Sequence, residues 1–213
     1  MNAIVTSQVR IANRAMILLG SVERITSLDD GSPLANQVKD LWHESRRELI
    51  GLHTWNFAVR RAKLNRQGDA AFGYASQFQL PADYIRWLPW GRDECDWFEG
   101  EEEGGFILCN ATESINIRYV ADVEDVTRWA PHFQILMAYK LAVDLAESAT
   151  QISGNVEEAR VKFEGADGRG GFLEQSKRLD GLSSGNRRND AARVSSRWLD
   201  GYAGTRRAPG AWS

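Results

Sequence analysis

Cysteine is nearly missing from this 213-residue chain, which has two, Cys95 and Cys109. Two cannot build the disulfide framework of a small secreted domain, and neither has the clustered partners of a four-ligand zinc site. Both read as buried thiols in a reducing setting. Histidine is scarce too, with three residues: His43, His53 and His132. His43 and His53 are separated by about 15 Å along a predicted helix, at 1.5 Å per residue, so they cannot share a metal. His132 falls at a predicted helix N-terminus, where an imidazolium is disfavoured. No run of eighteen apolar residues occurs, so no membrane span is expected. The first ten residues, MNAIVTSQVR, lack a charged stretch followed by an apolar one, and no secretory leader is expected.

Catalytic signatures are missing as well. There is no phosphate-binding G-x-x-x-x-G-K-[ST] loop, no G-x-G-x-x-G after a strand and no G-x-S-x-G elbow. Carboxylate pairs such as Asp29–Asp30 and Glu157–Glu158 have turn and helix-cap explanations. No nucleophile, base and orienting group can be assembled from spacing. The residues describe an interaction protein with no catalytic residue, no metal and no cofactor expected.

What is present is 43% hydrophobic and 26% charged residues with net charge −3, an ordinary balance for a folded chain. Lysine is rare, with 5 residues against 21 arginines, and there are 8 tryptophans. Arginine makes bidentate and stacked contacts that lysine cannot, and Trp and Arg are favoured anchors of protein interfaces. The charge is divided: residues 182–213 carry +4 and the rest −7. The basic tail has few aliphatic residues and is expected to order only against a partner.

Apolar spacing predicts a helix over 7–19, stopped by Gly20, and another over 33–52, opened by Ser32 and Pro33. Strands are predicted in FQLP, YIRWLP, Phe106–Cys109 and Ser114–Val120, the last two joined as a hairpin. In Ser114–Val120, Ile115, Ile117 and Tyr119 face one way and Asn116 and Arg118 the other. The acidic run over 99–105 reads as a solvated loop. A third helix opens at Ala130–Pro131 and a fourth covers Val156–Phe163, continuing weakly or breaking near Gly170. The expected class is α+β, mainly helical, with about four helices, a small inserted antiparallel β-sheet and an extended C-terminal tail. The expected segments are a helical pair over 1–66, the β region over 67–125, C-terminal helices over 126–181 and the tail over 182–213.

The order of motifs resembles the tail tubular protein A family, the head-to-tail adaptor proteins of short-tailed phages. The residues that carry the resemblance are Leu19–Gly20, Ile25–Asp29, Arg46–Arg47, Trp55–Phe57, Arg61–Leu64, Leu80–Ile85, Ile117–Val120 and Trp129–Phe133. Together they span roughly residues 8–175. The resemblance implies a virion protein made in the host cytoplasm. It implies a twelve-membered ring of identical copies that docks under the phage portal protein, extends the DNA channel and carries the tail nozzle protein. Genomic DNA would pass through without specific recognition. On this reading Arg187, Arg188, Arg193, Arg197, Trp198 and Tyr202 are the candidate portal-binding residues. Trp87, Trp90, Trp97 and Phe98 are candidates for nozzle or ring contact, and Trp55, Phe57 and Trp129 are structural anchors. Two other classes stay open. One is a DNA-binding or packaging accessory protein with its tail on phosphate, and the other a small hydrolase with an unrecognised site.

Overall fold

The computed structural model describes residues 3–90, 96–148, 156–166 and 168–183. These form a helical layer and a six-stranded antiparallel sheet curled into a half-barrel. The first helix, α1 (Ala3–Leu18), ends where Gly20 adopts φ 73° and Ser21 N–H returns to the Met16 carbonyl at 3.0 Å. A glycine in the left-handed region is a common way to close a helix. The linker that follows is pinned to α1 by Asn13, whose side chain exchanges two hydrogen bonds with the Ile25 backbone, both at 2.9 Å. Asp30 then accepts from the backbone and hydroxyl of Ser32 and from Thr26 N–H. Those bonds, the Ser32 hydroxyl foremost, hold its carboxyl down at about 2.

Ser32 caps α2 (Pro33–Gly51) by accepting from Ala35 N–H at 3.2 Å. Buried Leu34, Val38, Trp42, Leu49 and Ile50 recur at helical spacing along it. The centre of the layer is α3 (Pro131–Ser148), against which α1, α2, α4 (Val156–Glu164) and α5 (Phe172–Ser183) all pack. Its residues Phe133, Leu136, Met137, Leu141 and Leu145 are fully buried. Between α4 and α5 the chain reverses at Gly165, φ 97°, where an added Cβ would lie 1.9 Å from the Arg169 carbonyl oxygen. No other residue fits there, and the helix ends.

The sheet comprises β1 (Val59–Gly68), β2 (Ser76–Gln79), β3 (Tyr84–Leu88), β4 (Gly100–Glu103), β5 (Phe106–Cys109) and β6 (Ser114–Ala121), in the order β3-β6-β1-β2-β5-β4. Its concave side holds a second core of Leu64, Phe78, Ile107, Cys109, Ile115, Ile117 and Tyr119. Cys109 is buried there, which pushes its thiol pKa up and disfavours the thiolate. On the other side, Val59, Leu88 and Val120 pack against the helical layer. The two edge strands, β3 and β4, are not paired through their backbones. Side chains link them: Trp87 of β3 stacks on Phe98, two residues before β4, with ring centres 5.4 Å apart, and the Tyr84 hydroxyl donates to Glu102 of β4. Burial and that carboxylate both push the Tyr84 pKa up.

The expectation of a mainly helical chain with about four helices and a small inserted sheet is therefore wrong. The sheet has six strands, and the described residues contain five α-helices plus a 3-10 turn at Val126–Arg128. Two strands escaped notice for a physical reason. β1 reads VRRAKLNRQG, and its five polar outward residues mask a period of two around Ala62 and Leu64. Yet it is central, pairing with both β2 and β6. The acidic run is not a free loop: Glu101, Glu102 and Glu103 pair with Leu108, Ile107 and Phe106 of β5. The extended C-terminal tail lies outside the described residues.

Candidate functional site

Three gatherings of charged side chains among the described residues bear on function. The first joins helix to sheet. Arg46, on the sheet-facing side of α2, is 4% exposed and grips Asp122 with Nε to Oδ1 at 2.8 Å and Nη2 to Oδ2 at 2.9 Å. The same Nη2 reaches Glu124 Oε1 at 3.1 Å and the His43 ring nitrogen at 2.7 Å. Arg47 adds a contact to Asp122 Oδ2 at 3.1 Å. His43, Asp122 and Glu124 place ligand atoms within 4.8 Å of one another, a spacing a metal ion could use. The Arg46 guanidinium already binds all three, and its fixed positive charge disfavours a cation there.

The second place is Asp180 on α5, which is 2% exposed. Both its oxygens accept from Asn56 N–H, at 3.2 and 3.1 Å, and Asn56 Nδ2 donates to the Asp180 carbonyl at 2.7 Å. His53 Nε2 stands 3.6 Å from one oxygen and His132 Nε2 3.9 Å from the other. Trp55 lies between the two imidazoles, 4.8 Å from the His53 ring and 6.2 Å from that of His132. His132 Nε2 is buried without a hydrogen-bond partner among the described residues. Burial pulls the His132 pKa down, and Asp180 only partly opposes this. The arrangement locks α5 onto the turn that precedes β1, and the Ser183 hydroxyl joins it, accepting from Asn56 Nδ2 at 3.0 Å and donating to the Asp180 carbonyl at 2.7 Å.

The third place is the exposed end of the convex sheet face. There Arg61 and Arg118, cross-strand neighbours, both lie over the Trp90 ring, at 5.5 and 5.0 Å from its centre. Trp90 Nε1 donates to the Asn116 carbonyl at 2.9 Å, and Asn116 Nδ2 donates to Asp96 at 2.8 Å. Lys63 completes a cationic, aromatic patch. Sequence alternation placed Arg118 and Asn116 on this face; nothing local revealed that Arg61, Lys63 and Trp90 join them.

The aromatic residues singled out from sequence separate into buried and exposed groups. Trp55 is fully buried and its Nε1 donates to Leu49 O at 3.0 Å. Trp129 donates to Val123 O at 2.8 Å and stacks on Trp42. Phe57 is partly buried against Phe133, ring centres 4.7 Å apart. Trp87 and Phe98 form the seam between the sheet edges, whereas Trp90 is half-buried and Trp97 exposed. Arg187, Arg188, Arg193, Arg197, Trp198 and Tyr202 lie outside the described residues, as does Cys95. Among the described residues no helix is long and apolar enough to cross a membrane.

No protein-family model matches the chain, and no curated protein matches it.

Proposed function

We propose that the protein is a structural component of a phage particle, a head-to-tail adaptor that forms a ring beneath the portal and bears the tail nozzle. The observation that carries this reading is what the resembling motifs do in three dimensions. Leu19, Ile25, Arg46, Trp55, Ile117, Val120, Trp129 and Phe133 are all buried. They hold α1 to its linker, α2 to the sheet and α3 to both, so the motif series is a scaffold signature rather than a pocket signature. A scaffold whose charged junctions are consumed internally is suited to transmitting contact between neighbours.

The test is assembly. Light scattering and negative-stain imaging of the full chain, alone and with its portal, are expected to give a twelve-fold ring. A chain that stays monomeric in both conditions would defeat the proposal.

The Trp90 patch favours a second reading, a nucleic-acid accessory protein, because two arginines on an aromatic ring suit phosphate and base contact. That reading requires duplex or single-stranded DNA affinity that falls steeply with salt.

A further inference from the structure

The sheet sets two like charges opposite each other. Arg61 of β1 is the direct cross-strand partner of Arg118 of β6. Like charges in that position repel and destabilise a sheet. Lys63 follows two residues along β1, on the same face, opposite Asn116. Trp90 offsets part of the repulsion by lying against both guanidiniums. Arg60 and Arg66, on the same strand, have carboxylate partners, Asp83 and Asp69. Among the described residues no carboxylate forms an ion pair with Arg61, Lys63 or Arg118. Asp96 lies in the same patch, where it accepts from Asn116. Three cations thus stand against one carboxylate, and an anion from outside relieves a repulsion that the fold retains.

The layout favours one class of anion. Arg61 and Lys63 are exposed, and their backbone positions are about 6.6 Å apart, two residues at about 3.3 Å each. That is close to the separation of successive phosphates along an extended nucleic-acid strand. Beside them Trp90, Asn116 and Asp96 enclose a hollow of about 270 Å³. Trp97, the residue after Asp96, is 42% exposed and offers an aromatic surface on which a base can stack. A duplex keeps its bases inside and meets only the cations. An acidic peptide likewise leaves the Trp97 ring unused.

We infer that single-stranded nucleic acid lies along β1 at this patch, with neighbouring phosphates on Arg61 and Lys63 and a base on Trp97. Arg118 adds its charge from β6. Recognition is of backbone and ring faces, without choice of sequence. The inference rests on the nucleic-acid reading of the Trp90 patch and names the form of strand the patch takes.

The experiment is fluorescence anisotropy of a labelled oligothymidylate of about twelve nucleotides with the full chain at low salt. Arg61→Glu and Lys63→Glu are each expected to weaken binding at least about tenfold and to flatten its salt dependence. Trp97→Ala is expected to weaken it about tenfold. Arg10→Glu, an equal change of charge at an exposed position on α1, is expected to leave it unchanged. Affinity retained in the Arg61 and Lys63 variants, or lost equally in Arg10→Glu, would overturn the site and leave the nucleic-acid reading to another surface. A duplex of the same length that binds as tightly, or a polyglutamate peptide that displaces the oligonucleotide at equal concentration, would overturn the single-strand assignment. No affinity for either form of nucleic acid would overturn the inference and the reading beneath it.

Discussion

Arg46 and Asp122, 76 residues apart in sequence, meet as a two-pronged ion pair buried between α2 and the end of β6. Forming such a pair in a dry interior contributes little net stability, because both ions lose their water. Removing one partner is a different matter. Asp122→Asn leaves the buried guanidinium with only the exposed Glu124 carboxylate and is expected to cost about 3 kcal/mol. Urea unfolding of the variant measures this directly. Arg46→Met combined with Asp122→Leu is expected to recover most of the loss.

Arg46 also decides the fate of the neighbouring His43, Asp122 and Glu124. With its guanidinium among them, added Zn²⁺ is expected to leave the melting temperature unchanged. A rise on adding micromolar zinc, abolished by chelator, would show that the ion displaces the arginine.

Acid sensitivity is expected from His132. Its pKa is lowered in the folded chain by burial, so the unfolded chain binds a proton that the folded chain refuses. Stability from this group is therefore complete above the ordinary histidine value of about 6.5 and declines as the pH falls below it. Melting curves of wild type and His132→Gln between pH 8 and 5 are expected to converge toward the acid end. Parallel curves would show that His132 does not titrate with unfolding.

Asp180→Ala removes both acceptors of Asn56 N–H and is expected to cost about 1 kcal/mol, since that donor is only part-buried and water can reach it. The loss should be local. Hydrogen exchange is expected to accelerate in α5 and in the turn around Asn56 while α3 stays protected.

The basic C-terminal segment supplies the last prediction. A chain ending at Leu182 is expected to keep the fold of α1 to α4 and lose portal binding in a pull-down. Retained binding would move the portal contact elsewhere on the protein.

The sequence made some of this architecture legible and hid the rest for definite reasons. The start of α2 was readable because Ser32 and Pro33 act on their own neighbours, and capping is local chemistry. β6 was readable because its alternation is clean, but the expected hairpin with β5 was wrong: β6 pairs with β1 and β3, and β5 with β2 and β4. β1 was not, since Arg60, Arg61, Lys63 and Arg66 lower its apparent strand character, and its place in the sheet comes from pairing on both sides. The helix was expected to continue weakly or to break near Gly170, and it ends at Gly165 instead, because which glycine turns the chain depends on the contact with Arg169. Asp180 gave no signal at all. Its significance lies in Asn56, 124 residues away, and nothing at that separation is visible in spacing.

The seam between β3 and β4 has a mechanical consequence. Every other strand boundary in the sheet is a ladder of backbone hydrogen bonds, which breaks cooperatively or not at all. At the seam the described residues bridge the half-barrel through side chains, the Trp87–Phe98 stack and the Tyr84 hydroxyl on Glu102 among them. It can part by turning a few side chains while all five ladders stay whole. The β-layer is a split ring, stiff along its strands and compliant across one gap.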